Sequence, residues 1–139
     1  MKRDDRYDSL FHWYAEQNDM DWLILKSQVK AESNFDPMAR SLAGAMGLAQ
    51  FMQPTFMEWS NRLLIHSASP YNPEHAIQCQ SAYMRWLLDQ FAGNMDRALG
   101  AYNFGVGREQ RRTQWPQETV NYVARIKIYY SEYQGAVHV

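Results

Sequence analysis

Apolar residues at helical spacing, separated by turn-forming residues, are the feature that most constrains the fold of this chain. Residues 72 to 74, Asn-Pro-Glu, have the order of a helix cap, a first helical residue and a first-turn acid. Ile77, Met84, Leu88 and Phe91 follow on one face, so we expect this helix to be the longest. We find no long stretch of alternating apolar and polar residues, which a half-buried β-strand would require. The pattern therefore predicts an all-α fold, or nearly so.

The same spacing predicts four further helices. Their starts lie at or near Tyr7, Asp21, Asn94 and Pro116. The third of them is expected to end at Gly105 and Gly107, because glycine commonly terminates a helix. The last is expected to run to about Tyr130. Residues 1 to 3 and the segment from Gln134 onward are expected to be loosely ordered.

The segment of residues 41 to 55 reads SLAGAMGLAQFMQPT and interrupts the helical pattern. Gly44, Gly47 and Pro54 favour loops and short helical turns over a long regular element. The segment is therefore a candidate for backbone that contacts a ligand.

Length and composition bound the class of protein. The 139 residues fit one domain, spanning 1–139 with a core of about 5–133. A net charge of −1 gives no electrostatic attraction to nucleic acid or to an anionic membrane. No segment approaches the about 20 apolar residues that a membrane-spanning helix needs. Cys79 has no partner for an internal disulfide, and the four histidines show no metal-ligand spacing, so neither a metal nor another cofactor is expected.

Glu32 closes an apolar helical arc that otherwise contains Trp22, Leu25 and Val29. Burial beside such neighbours disfavours the charged carboxylate, and the last turn of a helix adds the negative end of the helix dipole. Both effects raise the pKa of a carboxyl group. Such a group is suited to act as a general acid near neutral pH. The alternative is that Glu32 turns to solvent or caps a neighbouring loop.

Four motifs occur in order around and after Glu32. They are Glu32-Ser33 with Ser41, GAMGLAQFM at 44–52 with Thr55, AYNFG at 101–105, and ETVNYV at 118–123. In this order and at this spacing they closely resemble the lytic transglycosylases of the soluble, goose-lysozyme-like family, within the lysozyme-like superfamily. The resemblance covers roughly residues 20 to 130.

The resemblance implies a single lysozyme-like helical domain with a substrate cleft, and it implies roles for individual residues. Glu32 matches the sole catalytic acid and base of the family. The residues that match substrate-binding or cleft positions are Ser33, Ser41, Gln50, Met52, Tyr102, Asn103, Glu118 and Tyr122. Tyr102 is expected to hold Glu32 or the substrate acetamido group through its hydroxyl, and Ser41, Gln50 and Asn103 can donate hydrogen bonds.

Three residues depart from the family pattern. The family usually has methionine, isoleucine and proline where this chain has Ala49, Phe51 and Gln53. The short side chain of Ala49 is expected to loosen one wall of the cleft, with Phe51 available to refill it. We therefore expect an Ala49→Met substitution to be tolerated.

The activity that the resemblance implies is cleavage of the β-1,4 bond between N-acetylmuramic acid and N-acetylglucosamine in peptidoglycan, with formation of a 1,6-anhydro sugar. Ordinary glycosidases use two carboxylates, and the sequence identifies no second one with assurance. Asp36 lies at an Asp-Pro break, and Glu118 also fits a first-turn helix acid. A goose-type lysozyme that hydrolyses the same bond and a non-catalytic peptidoglycan-binding or virion module remain as alternatives.

The expected partners are peptidoglycan glycan strands, with no nucleic acid and no stable membrane insertion, and the expected oligomeric state is a monomer. The N-terminal sequence MKRDDRYDSLFHWY lacks the apolar stretch of a secretory signal. Action on the cell wall, in the periplasm or from a phage virion, therefore requires another delivery route. A bacteriophage lysis or virion protein and a domain of a larger bacterial enzyme both fit.

Overall fold

The computed structural model describes residues 3 to 138, in which it contains seven α-helices. They are α1 (Asp8–Gln17), α2 (Trp22–Ser33), α3 (Gln53–Arg62), α4 (Pro73–Gln90), α5 (Met95–Phe104), α6 (Val106–Arg111) and α7 (Gln117–His138), preceded by a short 3-10 helix, Arg3–Asp5. Extended pairing within 3–138 is limited to isolated bridges of Met46 with Arg40 and Phe51. The prediction of an all-α fold is confirmed.

Local side-chain caps explain where three of the helices begin. Asp21 accepts a hydrogen bond from the backbone N–H of Leu23, which starts α2. Asn72 caps α4 and Asn94 caps α5 in the same way. Each cap satisfies backbone donors that the first turn of a helix leaves free, an effect of about 1 kcal/mol. The predicted starts of these helices are confirmed.

Helix α2 lies at the centre of the fold and packs against α1, α4 and α7. Leu25 and Val29 of α2 are fully buried, and the core continues through Met84 of α4, Leu99 of α5 and Ile126 of α7. Fully burying a side chain of this size stabilises the fold by about 1.5–3 kcal/mol. The apolar arc of α2 therefore fixes where its last turn, with Glu32, emerges from the core.

Two predictions about the helices were wrong. Helix α7, with 22 residues, is longer than α4, which has 18. Helix α6 was not predicted, because Gly105 was expected to end the helical region. Gly105 has a φ of +107°, and it both ends α5 and precedes α6.

The ends of the chain also differ from expectation. The segment from Gln134, expected to be loosely ordered, is helical as far as His138. Met1, Lys2 and Val139 lie outside the described residues. No helix between residues 3 and 138 combines the length and apolar character needed to cross a lipid bilayer.

The irregular segment predicted for residues 41 to 55 is confirmed as far as Met52, since α3 begins at Gln53, and its backbone is held close to the core. Gly47 has a φ of +80°, and a Cβ atom there would lie 1.9 Å from the carbonyl oxygen of Pro70, so only glycine fits. Leu48, Ala49 and Phe51 are buried immediately after it. This anchoring places residues 41 to 52 opposite the end of α2, where they form one wall of a cleft.

Candidate active site

A cleft of about 750 Å³ lies between the end of α2, the 41–55 segment, α5 and the start of α7. Most of the residues that the sequence analysis selected line it, namely Glu32, Ser41, Gln50, Met52, Tyr102, Asn103 and Glu118. Ser33 and Tyr122 are not among the lining residues. Phe51, Thr55, Tyr83 and Arg108 also line the cleft.

Glu32 lies in the last turn of α2, where the helix ends at Asn34 in a left-handed conformation. The side chain is half-buried, and its Oε2 accepts a hydrogen bond of 2.8 Å from the Tyr122 hydroxyl. Burial raises the pKa of Glu32 to about 8, against the opposing effects of the Tyr122 hydrogen bond and of Arg125, while Glu118 raises it further. Glu32 is therefore predominantly protonated at neutral pH, as a general acid must be.

The tyrosine that bonds Glu32 is Tyr122, so the expected contact of the Tyr102 hydroxyl with Glu32 is not made, and its alternative, a contact with the substrate acetamido group, stays a prediction. The Tyr102 hydroxyl instead donates to the backbone carbonyl of Ala49 at 2.8 Å. This bond joins α5 to the loop wall of the cleft. Tyr122 is buried and does not itself line the cleft.

Ser33 has a supporting position rather than a cleft-facing one. Its hydroxyl lies 3.2 Å from the carbonyl oxygen of Val29 and 2.8 Å from that of Leu48. The hydroxyl has a single hydrogen, so it donates mainly to the nearer oxygen of Leu48. The bond fixes the end of α2 to the loop wall, and with it the position of Glu32.

Three polar residues face the cleft, and they differ in whether they have a hydrogen-bond donor left for a ligand. Ser41 accepts a hydrogen bond from the N–H of Ala45, which leaves its hydroxyl hydrogen available. The Asn103 Oδ1 accepts a bond of 2.8 Å from Thr119, which leaves the amide hydrogens of Asn103 as donors. The Gln50 amide nitrogen instead donates to the carbonyls of Ala39 and Gly47, so both of its hydrogens bond the protein.

Charged residues lie at one side of the cleft. Glu118, in the first turn of α7, is exposed and lines the cleft, as does Arg108 of α6. Helix α6 is anchored by Glu109, a fully buried carboxylate that contacts Arg97 at 2.9 Å and Arg112 at 2.7 Å. Sequence reasoning missed Glu109, because its partners are recognisable only in the folded chain.

Aromatic rings form a continuous group beside the cleft. Tyr83 lies 5.3 Å from Tyr102 and 6.2 Å from Phe51, between ring centroids, and both contacts involve residues of the cleft lining. Trp59 and Trp86 pack behind Tyr83. The aromatic residues thus contribute to the core and to the cleft at once. Sequence reasoning missed Tyr83, although it directly precedes a residue of the α4 apolar stripe.

Residues 9–122 match the family described as the transglycosylase SLT domain. The chain belongs to this family. The resemblance identified from the four motifs is thereby confirmed. Among the described residues of this SLT domain, no group of three or more histidine, cysteine or acidic side chains is arranged to hold a metal ion.

Two relatives show how this SLT domain compares with longer proteins. It is 33% identical over 110 residues to membrane-bound lytic murein transglycosylase F of Haemophilus influenzae (strain PittEE), a match that covers 73% of this chain and 21% of the relative. It is also 33% identical over 103 residues to the peptidoglycan transglycosylase gp16 of Escherichia phage T7, covering 73% of this chain and 8% of that protein. The SLT domain thus spans about a fifth or less of the length of these relatives.

Solved structures of soluble lytic transglycosylases have the same fold as this SLT domain. An inactive mutant of the lytic transglycosylase Slt from Pseudomonas aeruginosa superposes with a TM-score of 0.87 and 27% identity, over 96% of this chain and 25% of that one. The 70-kDa soluble lytic transglycosylase of Escherichia coli gives a TM-score of 0.82 at 24% identity, over 94% of this chain and 25% of that one. The prediction of a lysozyme-like helical domain is confirmed.

Proposed function

We propose that this SLT domain is a peptidoglycan lytic transglycosylase. It cleaves the β-1,4 bond between N-acetylmuramic acid and N-acetylglucosamine and leaves a 1,6-anhydro-muramoyl end. The observation that carries the proposal is the state of Glu32, a cleft-lining carboxyl group whose pKa is raised to about 8 and which is hydrogen-bonded by Tyr122. The names of the relatives, a murein transglycosylase and a peptidoglycan transglycosylase, support the same substrate.

In the first step, neutral Glu32 donates its proton to the oxygen that bridges the two sugars. The bond from that oxygen to the anomeric carbon breaks, and the carbonyl oxygen of the substrate's own N-acetyl group attacks the same carbon. Glu32 becomes a carboxylate. The hydrogen bond from Tyr122 and the proximity of Arg125 stabilise that charge as it forms.

In the second step, the Glu32 carboxylate takes the proton from the C6 hydroxyl of the muramoyl sugar. The C6 oxygen displaces the acetamido oxygen at the anomeric carbon and closes the 1,6-anhydro ring. Glu32 is protonated again, no water is consumed, and no second carboxylate is required. One residue therefore acts first as acid and then as base.

The other residues of the cleft position the substrate. We assign Ser41 and Asn103 to the acetamido and sugar oxygens, because each has a donor that protein groups leave free. Gln50, Met52 and Tyr102 shape the loop wall. Ser33 and Tyr122 act from behind Glu32, where their hydroxyls bond protein groups rather than the cleft.

The proposed setting is the cell wall, reached in the periplasm or from a phage virion. Glycan strands are the partner, and the domain acts as a monomer without nucleic acid. The phage T7 relative supports delivery by a virion, and the bacterial relatives support a domain of a larger wall enzyme.

A pair of matched substitutions tests the proposal. Both Glu32 and Glu118 line the cleft, and glutamine is nearly isosteric with either. Glu32→Gln removes the proton donor, so release of soluble fragments from purified peptidoglycan should fall by about 10²–10⁴-fold. Glu118→Gln should stay within about tenfold of wild type, because the one-acid mechanism gives it no proton to transfer.

The opposite result would favour a goose-type hydrolase. Equal, large losses in both variants would indicate that Glu118 activates a water molecule. Wild-type protein that binds peptidoglycan but releases no fragments would indicate a binding module.

A further inference from the structure

Behind Glu32 lies a chain of hydrogen bonds that runs through the protein core. Tyr122 donates to Glu32 at 2.8 Å, the Gln28 amide nitrogen donates to the Tyr122 oxygen at 3.0 Å, and the Gln80 amide nitrogen donates to Gln28 Oε1 at 2.8 Å. Gln28 and Gln80 are fully buried, and neither lines the cleft. Burying two amide side chains in an apolar core costs free energy unless their polar atoms are hydrogen-bonded, and among the described residues the Gln80 Oε1 has no hydrogen-bond partner.

A backbone group sets the direction of donation along this chain of hydrogen bonds. The Gln80 amide nitrogen also donates to the carbonyl oxygen of Leu25 at 3.1 Å. A carbonyl oxygen accepts hydrogen bonds and never donates them, so Gln80 must present its NH₂ group to this site. The second hydrogen of the same NH₂ group is then the one directed at Gln28.

Gln28 has no choice of orientation once Gln80 is fixed. Its Oε1 must face the donor on Gln80, which places its NH₂ group on the opposite side. One hydrogen of that group reaches the Tyr122 oxygen, and the nitrogen lies 3.6 Å from the sulfur of Met84, a weak acceptor. Both neighbours on that side can accept a hydrogen bond, as the orientation requires.

Tyr122 therefore receives a hydrogen bond on its oxygen, and its own hydrogen points to Glu32 Oε2. We propose that Gln28 and Gln80 are positioning residues that lock Tyr122 as a donor to Glu32 Oε2, so that the acidic proton is carried by Oε1. This inference rests on the proposed function for the meaning of that proton. Without the bond from Gln28, the Tyr122 oxygen is free to accept a hydrogen bond from a protonated Oε2, and the acidic proton is then held by Oε2 instead of Oε1.

Removing the lock has a definite electrostatic consequence. The titratable and charged groups that face Glu32 are Tyr122, Arg125 and Glu118 from α7 and Tyr102 from α5. Gln28→Leu leaves these groups in place but removes the bond that polarises the Tyr122 hydroxyl. A weaker donor stabilises the Glu32 carboxylate less, so its pKa rises, and the basic limb of the activity profile moves to higher pH.

The test is a titration of Glu32 by ¹³C NMR of glutamate side-chain carboxyls, assigned with Glu32→Gln. The titration needs no substrate, so it tests the role of Gln28 and Gln80 even if the proposed function is refuted. We expect the Glu32 midpoint to rise by about 0.5–1 pH unit in Gln28→Leu and, as a second variant, in Gln80→Leu. Gln78 lies on α4, as Gln80 does, but is not part of this chain of hydrogen bonds, so Gln78→Leu should leave the Glu32 midpoint unchanged.

A double substitution separates positioning from packing. In a Tyr122→Phe background there is no hydroxyl to orient, so adding Gln28→Leu should cause no further rise. In the active enzyme, Gln28→Leu should lower kcat by about tenfold with KM unchanged, since Gln28 does not touch the cleft. An unchanged midpoint in both single variants, or an equal rise in the Tyr122→Phe background, would overturn the inference. An inactive wild type would instead refute the proposed function.

Discussion

Two glutamates of this domain are shielded from solvent, Glu32 half-buried at the cleft and Glu109 fully buried beneath α6, and they differ in what surrounds their carboxyl groups. Glu109 contacts Arg97, Arg112 and the indole nitrogen of Trp115, each within 2.9 Å. Burial raises the pKa of Glu109, but these hydrogen bonds outweigh it and hold the pKa below its usual value. Glu32 has a single hydroxyl donor, and its pKa is raised to about 8.

The comparison teaches that partners, rather than burial alone, decide what a buried carboxyl group does. With two guanidinium groups in contact, Glu109 stays charged and ties α5, α6 and the segment before α7 together. With one tyrosine in contact, Glu32 stays neutral and keeps a proton to donate. The same residue type thus has a structural role at one site and a chemical role at the other.

The largest effect on stability should come from Glu109. Glu109→Gln leaves Arg97 and Arg112 without their charged partner, and we expect it to lower the free energy of unfolding by about 3 kcal/mol. Urea denaturation measures this. Glu58→Gln is a matched control, because Glu58 pairs with Arg62 on the exposed face of α3, and its loss should cost about 0.5 kcal/mol or less. Similar losses in free energy of unfolding in the two variants would show that the buried and the exposed carboxylate do not differ in their contribution to stability.

A smaller effect should appear in the pH dependence of stability. Glu32 has a folded pKa raised to about 8 from a usual value of 4.5, so its neutral form favours folding below pH 4.5 and this contribution is lost as pH rises towards 8. Glu32→Gln does not titrate, so its free energy of unfolding should gain about 2 kcal/mol relative to wild type between pH 5 and about pH 6.5.

Glu109 should have the opposite effect on how the free energy of unfolding changes with pH. Its folded pKa is lowered, so the stability it contributes is present above its unfolded pKa and is lost as pH falls through the lower folded value. The free energy of unfolding of Glu109→Gln should therefore approach that of wild type at acidic pH. Parallel pH profiles for the two variants would contradict the assignment of opposite charge states.

The smallest effect concerns the loop wall beside Glu32. Ala49 and Phe51 are both buried, and Phe51 packs against Phe56 and Tyr102. A longer side chain at the buried Ala49 would have to displace its neighbours, so the expectation that methionine is tolerated there needs revision. We expect Ala49→Met to lower the free energy of unfolding by about 1–2 kcal/mol, measured in the same urea series. A stabilised variant would show that the wall has unused space.

Features that depend on neighbouring residues were predictable from the sequence. The caps Asp21, Asn72 and Asn94 act within three residues of themselves, and each helix begins where its cap predicts. The raised pKa of Glu32 followed from its place at the end of an apolar arc. Gly105 was read correctly as the end of α5, but the turn that it permits into α6 has no comparable local signal.

Features that depend on distant residues were not predictable. Tyr122 and Glu32 are separated by 90 positions, and Gln28 and Gln80 by 52. The motifs placed Tyr102 and Tyr122 in the same region, but only the fold shows which hydroxyl reaches Glu32. The sequence also identified Gln50 as a donor, but it did not reveal the loop conformation in which the amide hydrogens of Gln50 bond Ala39 and Gly47.

The central claim, that a single neutral carboxyl group cleaves the glycan without water, is tested most directly by mass spectrometry of products formed in water enriched in oxygen-18. The account predicts muropeptides that end in the 1,6-anhydro sugar, carry no heavy oxygen and are absent from a Glu32→Gln digest. Reducing ends that carry the heavy oxygen would contradict it, because they would require a water molecule to attack the anomeric carbon.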